Sequence, residues 1–139
     1  MVKYMTDKQL ISLAFEAAEN AYSPYSGFKV GAALLTKEGK VYTGCNIENA
    51  AYGSTNCAER TAFFKAVSED ERDFVKIALI GGKDGKPSDY YYPCGACRQV
   101  MAEFCNGDFE IITARSDSDY ECVSFADMLP YSFTPDKLS

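Results

Sequence analysis

Two short motifs far apart in the chain place the strongest constraint on its fold, because their side chains are useful only together. Residues 57–60 read Cys-Ala-Glu-Arg, and residues 93–98 read Pro-Cys-Gly-Ala-Cys-Arg. Both stand near the predicted start of a helix. Three thiolates suit a tetrahedral zinc ion, and a catalytic zinc leaves its fourth position to water. The predicted ligands are Cys57, Cys94 and Cys97. Glu59, beside the first ligand, is the predicted proton carrier.

The order C-x-E followed by P-C-x-x-C is typical of zinc-dependent deaminases, here in a form with three cysteines and no histidine. Three more segments accompany the two motifs: Phe-Lys-Val-Gly-Ala-Ala at 28–33, Gly-Cys-Asn-Ile-Glu-Asn-Ala at 44–50 and Leu-Pro-Tyr-Ser-Phe at 129–133. Through these five segments, in this order and spacing, the chain resembles the cytidine deaminase family. The resemblance is to its small homotetrameric nucleoside enzymes, and it extends from about Ser26 to Phe133.

The resemblance implies an enzyme with one zinc ion per subunit. Its expected reaction is the hydrolytic deamination of cytidine and 2′-deoxycytidine to uridine and 2′-deoxyuridine with release of ammonia, in pyrimidine salvage. The resemblance also implies a cytoplasmic homotetramer with shared active sites. Glu59 corresponds to the family's general acid and base. The expected substrate-binding residues are Phe28 against the pyrimidine ring, Asn46 and Glu48 on the ribose, Ala58, and Phe133 reaching the pocket of an adjacent subunit.

From the residues alone, several of these roles stay open. Asn46 and Glu48 are two apart in an extended segment, so their side chains are expected to point the same way. They suit ribose hydroxyls, but a polar loop with turn-forming asparagines fits as well. From the residues alone, a core position in a strand explains Phe28 better than contact with a pyrimidine ring.

Two arginines next to the ligands are candidates for tuning the zinc site. Three thiolates leave Zn²⁺ with one excess negative charge, which would oppose ionisation of a bound water. Arg60 and Arg98 are placed to donate hydrogen bonds to the sulfurs and withdraw that charge. The alternative is that both are ordinary surface residues.

The composition limits the partners and the compartment. The net charge is −6, whereas a protein that grips a phosphate backbone usually has a basic excess. A nucleoside-sized substrate is therefore expected, and no nucleic acid or membrane partner. No apolar run approaches the roughly 20 residues that span a bilayer. No secretory signal is predicted, so a reducing compartment is expected.

The six cysteines include three outside the motifs. Cys45, Cys105 and Cys122 are predicted to be small buried hydrophobic residues.

The hydrophobic pattern predicts one domain, residues 1–139, of the α/β class. Predicted helices cover about residues 7–21, 57–68, 94–104 and 125–129. Predicted strands cover about residues 28–36, 41–45, 74–81, 109–114 and 120–125. The short connection between the last two strands makes them antiparallel. With the resemblance, this indicates a three-layer α/β/α cytidine deaminase-like fold around a mixed five-stranded sheet.

Other functions remain to be weighed against this one. A structural zinc module would need a fourth protein ligand, for which Cys45 is the candidate. A dithiol redox protein would use Cys94 and Cys97 but would leave Cys57 and Glu59 without a purpose. Within the deaminases, a polynucleotide enzyme is disfavoured by the net charge, and a purine deaminase by the absence of histidine. A deaminase of another cytosine nucleoside, such as blasticidin S, is disfavoured by Asn46 and Glu48.

Overall fold

The computed structural model describes residues 5–139 and contains five strands and four α-helices. In chain order these are α1 (Asp7–Ala18), β1 (Phe28–Thr36), β2 (Val41–Cys45), α2 (Ala58–Ser68), β3 (Phe74–Lys83), α3 (Gly95–Phe104), β4 (Glu110–Ser116), β5 (Asp119–Ser124) and α4 (Phe125–Met128). Two short 3₁₀ turns, Tyr52–Ser54 and Pro135–Leu138, complete the described chain. Among the described helices, none has the length and apolar character required to span a membrane.

The five strands form one mixed sheet, as the sequence predicted, and the structure gives their order as β2-β1-β3-β4-β5. Strands β3 and β4 are parallel, and the other neighbouring pairs are antiparallel, including β4 with β5. The apolar β3 is central, which suits a strand covered on both faces. Helix α1 packs on one face of the sheet, while α2 and α3 pack on the other. This is the expected three-layer arrangement.

The strand directions gather several chain segments at one edge of the sheet. Strand β1 is antiparallel to both β2 and β3, so β2 and β3 run the same way and end at the same edge. The chain enters α2 after β2 and α3 after β3, so both helices begin from that edge. Phe28, the first residue of β1, pairs there with Lys83. The two cysteine motifs and Phe28 are therefore brought together by sheet topology.

Most element boundaries agree with the sequence pattern, and the differences have local causes. Helix α1 begins with a capping box, in which Thr6 and Gln9 exchange side-chain to backbone hydrogen bonds. It ends at Ala18 and not near residue 21, because the chain turns and the Tyr22 amide donates to the Asn46 carbonyl at 3.0 Å. Strand β3 continues to Lys83 since β1 offers partners up to Phe28.

The three cysteines outside the motifs are less buried than predicted. Cys45 and Cys105 are half-buried, and Cys122 is exposed. The prediction for Cys122 is wrong because β5 is an edge strand, where its thiol donates to the Glu110 carboxylate at 2.7 Å. Cys122 therefore does not act as a buried apolar residue.

Two glycines allow helices to approach the sheet more closely than any side chain would permit. A Cβ atom at Gly31 in β1 would lie 1.8 Å from the carbonyl oxygen of Ala14 in α1. A Cβ atom at Gly44 in β2 would lie 2.3 Å from the carbonyl oxygen of Ala58 in α2. Gly31 thus allows α1 to lie directly on β1, and Gly44 allows the first turn of α2 to lie directly on β2.

We expect Gly31→Ala to lower the free energy of unfolding by about 1–3 kcal/mol or more, since the added methyl group collides with backbone atoms that cannot move aside cheaply. Gly53→Ala is the matched control, because a Cβ atom there meets nothing within 4 Å. Its effect should stay within about 0.5 kcal/mol. Urea unfolding at one protein concentration measures both, and equal stability of the two variants would contradict the packing described here.

Candidate active site

Three cysteine sulfurs converge at the edge where α2 and α3 begin. The Sγ atoms of Cys57, Cys94 and Cys97 all lie within 4.8 Å of one another. Cys57 and Cys94 are 3.7 Å apart, and Cys94 and Cys97 are 3.4 Å apart. Sulfurs placed about 2.3 Å from a tetrahedral zinc would be about 3.8 Å apart, so the observed spacing suits one shared metal ion.

The local structure at each helix start favours thiolates. Cys57 is the N-cap residue of α2 and Cys94 that of α3, and neither side chain caps its own helix. Cys97 lies in the first turn of α3 and is buried. Unpaired amides at a helix N-terminus carry about half a positive charge, which stabilises nearby anions. Two such termini meet at the sulfurs.

Arg60 supplies a further positive charge directly to a ligand. Its guanidinium donates to the Cys57 sulfur at 3.4 Å, while its Nε is buried without a partner among the described residues. The hydrogen bond with the Cys97 thiol, and after it the Arg60 guanidinium, lowers the pKa of Cys57 to about 5. The same interaction between the thiols raises the pKa of Cys97 far above its ordinary value.

Arg98 has a different set of partners from the one expected. Its guanidinium donates to the carbonyl oxygens of Pro93 and Met128, both at 2.8 Å. These bonds connect the chain just before Cys94 to the end of α4. Arg98 therefore holds the segment that precedes the predicted zinc ligand Cys94. Its hydrogen bonds go to carbonyl oxygens and not to a sulfur.

Glu59 is almost completely buried beside the sulfurs, with 2% of its surface exposed. It belongs to the first turn of α2. Burial raises the pKa of its carboxyl to about 7, and the neighbouring Cys57 acts in the same direction. A carboxyl group with a pKa near neutrality can both accept and release a proton at neutral pH.

A cavity of about 460 Å³ opens in front of the sulfurs and Glu59. Among the sequence-predicted residues, its lining includes Phe28, Asn46, Glu48, Cys57, Ala58, Glu59 and Cys94. Phe28 is 38% exposed, so it lines the cavity and is not a core residue. The structure therefore brings both cysteine motifs and most of the expected substrate-binding residues around one space.

Asn46 and Glu48 are both bonded to the chain that surrounds the cavity. Asn46 accepts from the Val30 amide at 2.9 Å and donates to the Phe28 carbonyl at 2.8 Å. Glu48 accepts from the Tyr25 and Ser26 amides and from the Ser26 hydroxyl. These bonds, led by the one from the Ser26 hydroxyl, hold the pKa of Glu48 below its ordinary value. Both side chains thus fix the entry into β1.

Other residues of this cavity were not identified from the sequence. They are Ser26, Val30, Thr55, Asn56, Tyr91 and Tyr92. Val30 could have been inferred, because it lies two residues from Phe28 on the same face of β1. Tyr91 and Tyr92 lie in a loop, where no hydrophobic periodicity indicates which side chains point into a cavity.

Phe133 is not among the residues that line this cavity. It is 58% exposed, and its carbonyl oxygen accepts from the Gln99 side chain at 2.9 Å. Within one chain it therefore lies apart from the other expected substrate-binding residues.

Comparisons with known proteins agree with this geometry. The family model for the cytidine and deoxycytidylate deaminase zinc-binding region matches residues 5–113. The chain belongs to the cytidine deaminase family. It is 50% identical over 135 residues to a cytidine deaminase of Sporosarcina psychrophila, covering 97% of this chain and 96% of the relative. It is 49% identical to one of Halalkalibacterium halodurans, covering 97% of this chain and 99% of that relative.

A solved structure shows the same fold. The crystal structure of cytidine deaminase from Burkholderia pseudomallei is 47% identical and superposes with a TM-score of 0.85, covering 93% of this chain and 100% of that one. The residues that the family model matches, 5–113, include both cysteine motifs.

The donor set of this deaminase family member fits one zinc ion. Among the described residues, the metal-ligand cluster contains three thiols and does not include Cys45, so a fourth cysteine ligand is not provided. Glu59 lies beside the cluster, and the cavity opens onto it. A site with three protein ligands facing a cavity is the arrangement of a catalytic zinc rather than a closed structural one.

We expect the purified deaminase to hold one zinc ion per chain and Cys97→Ser to lose most of it, since that change removes a buried thiolate ligand. Cys122→Ser is the control and should keep full zinc content, because Cys122 lies on the exposed edge strand. Metal analysis after dialysis measures both variants. X-ray absorption should show three sulfur ligands and one lighter atom, and a shell of four sulfurs would contradict the assignment.

Proposed function

We propose that this chain hydrolyses cytidine and 2′-deoxycytidine to uridine and 2′-deoxyuridine, releasing ammonia. The observation that carries the proposal is the buried Glu59 next to three converging cysteine sulfurs at the end of an aromatic-lined cavity. Family membership at about half identity over nearly the whole chain supports the same reaction.

Cys57, Cys94 and Cys97 would hold the metal. Zinc in such a site acts as a Lewis acid that makes water a competent nucleophile near pH 7. Glu59 moves the protons of the reaction. It takes one from the attacking water and delivers it to ring N3, and then takes the proton of the hydroxyl formed on C4 and delivers it to the amino group. The bond between C4 and nitrogen breaks, ammonia leaves, and the C4 oxygen becomes the carbonyl of uridine. Burial keeps bulk water from competing for these protons. A positioned carboxylate of this kind contributes a factor of roughly 10² to 10⁴ in rate.

The remaining hydrogen-bonding capacity of Asn46 and Glu48 supports a ribose site. A carboxylate offers about four acceptor positions, and Glu48 uses three of them on residues 25 and 26. Asn46 keeps one amide N–H beyond its bond to Phe28. The bonds to the protein fix both side chains before substrate arrives, which lowers the cost of ordering them on binding. Phe28 lines the same cavity and would lie against the pyrimidine.

The two remaining rivals are less well supported. A structural zinc module needs a closed shell, whereas the described cluster has three ligands and opens onto a cavity. A deaminase specific for blasticidin S, which does not carry a plain ribose, would gain little from Asn46 and Glu48 as arranged here.

We place the enzyme in pyrimidine salvage in the cytoplasm, where three zinc-binding thiols stay reduced. A homotetramer with shared active sites is the proposed assembly. Exposed large apolar side chains support an interface near the cavity, since such groups mark association surfaces. They include Tyr22, Tyr25, Ile47 and Tyr52, and Phe133 is exposed elsewhere on the chain. In this assembly Phe133 completes the pocket of an adjacent subunit.

Glu59→Ala should abolish turnover, by at least about 10²-fold, while zinc stays bound, because the proton carrier is lost and the ligands remain. Ultraviolet absorbance with cytidine, 2′-deoxycytidine, cytosine and adenosine in turn measures activity and selectivity. Glu103→Ala is the control, since Glu103 is exposed on α3. Near-normal turnover by Glu59→Ala would reject the assigned role.

Subunit complementation tests the position of Phe133. Phe133→Ala alone should raise KM, and Glu59→Ala alone should be inactive. Tetramers that contain both chains should regain activity, because a chain with intact Glu59 receives Phe133 from its neighbour. Homotetramers of each variant, mixed without subunit exchange, are the control. Light scattering should give four chains per particle. A monomer with full activity, or no recovery in hybrids, would contradict the shared site.

A further inference from the structure

The loop between β3 and α3 contains three consecutive tyrosines whose side chains go to two different places. Tyr91 packs against the sheet and lines the cavity, which Tyr92 also borders. The hydroxyl of Tyr90 donates to the Asp119 carboxylate at 2.6 Å, and that of Tyr92 donates to Glu121. The middle tyrosine is thus held between two neighbours that are both fastened to β5.

The position of Tyr91 depends on a glycine beneath its ring. A Cβ atom at Gly81 of β3 would lie 2.9 Å from two ring carbons of Tyr91. Gly81 pairs with Val30, and Tyr91 also contacts Phe28, with ring centroids 5.9 Å apart. Tyr91 therefore completes an apolar wall that begins with the two β1 residues already assigned to the cavity.

The Tyr91 side chain is also close to the reacting end of the cavity. Burial raises the pKa of its hydroxyl, and the charges of Glu59 and Cys57 add to this. The Tyr91 ring contacts Phe28 and lines the same cavity as Glu59, so it borders the space in which a base would lie.

Two carboxylates on one face of β5 bind the hydroxyls of Tyr90 and Tyr92. Asp119 and Glu121 are two residues apart and so point the same way. Arg115 holds Asp119 at 2.8 Å and lies over the Tyr90 ring at 4.8 Å. The loop is therefore tied to the sheet at two successive points.

We propose that Tyr91 is a specificity-determining residue that forms a side wall of the base pocket and limits the size of the pyrimidine. Tyr90 and Tyr92, with their carboxylate partners on β5, act as positioning residues for it. The inference rests on the proposed cytidine deamination. It adds a residue and a tether that neither cysteine motif contains.

Steady-state kinetics with cytidine, 5-methylcytidine and N4-methylcytidine tests the wall. Tyr91→Ala should raise KM for cytidine roughly tenfold, with kcat falling less than threefold, because an aromatic contact is lost while Glu59 stays. In Tyr91→Ala, the ratio of kcat/KM for at least one methylated nucleoside to kcat/KM for cytidine should rise roughly tenfold. One methyl group in a pocket usually changes kcat/KM by about this factor. Tyr91→Phe keeps the ring and should stay within twofold of wild type.

The tether is tested by Tyr90→Phe combined with Tyr92→Phe. This variant should raise KM several-fold and shift selectivity in the same direction as Tyr91→Ala. Tyr42→Phe is the matched control, since Tyr42 also donates to a carboxylate, Glu69, but does not line the cavity. Zinc content and thermal unfolding should match wild type in all variants used.

The outcomes separate this inference from the function on which it rests. A wild-type protein that does not turn over cytidine would overturn the proposed function and this inference with it. If the wild type is active and Tyr91→Ala has unchanged KM and selectivity, the role of Tyr91 as a pocket wall is rejected and the proposed function stands. Loss in Tyr91→Phe as large as in Tyr91→Ala would also overturn it, since the ring would not be the determinant. Normal kinetics in the double variant would overturn the tether.

Discussion

The interaction on which this structure depends is the compensation of negative charge where three cysteine sulfurs meet. Three thiolates within 4.8 Å would repel one another strongly in a partly buried site. Two helix N-termini and the Arg60 guanidinium supply positive charge at that point. A bound divalent ion completes the compensation. Glu59, buried beside the cluster, can then exchange protons near neutral pH because its own environment penalises the charged form.

That arrangement follows from the directions of three strands. An antiparallel β1 between β2 and β3 makes the two outer strands of this trio end at one edge. The helices that follow them therefore begin side by side. Gly44 allows the first turn of α2 to lie directly on β2, which fixes the height of Cys57 and Glu59 above the sheet. A bulkier residue at that position would move the acid relative to the sulfurs.

The cavity in front of the sulfurs is assembled from side chains that also hold the backbone. Asn46 and Glu48 satisfy the amides and a carbonyl that lead into β1, so their orientation is set before any ligand binds. Tyr91 is similarly fixed through the neighbours that bond to β5. The pocket is thus organised by hydrogen bonds that reach across the sheet from β2 to β5, and its shape does not rest on one loop alone.

The sequence by itself determined the chemistry of the site and the order of the elements. Three cysteines and a glutamate at predicted helix starts indicated the metal and its acid, because few residue types bind zinc or carry protons. Hydrophobic periodicity identified the strands and helices to within a few residues. Tertiary structure decided what depends on long-range neighbours: the exposure of Cys122 on an edge strand, the carbonyl partners of Arg98, and the entry of Tyr91 into the cavity. These could not be read from local pattern, since each is set by segments that are distant in the chain and adjacent only after the sheet has formed.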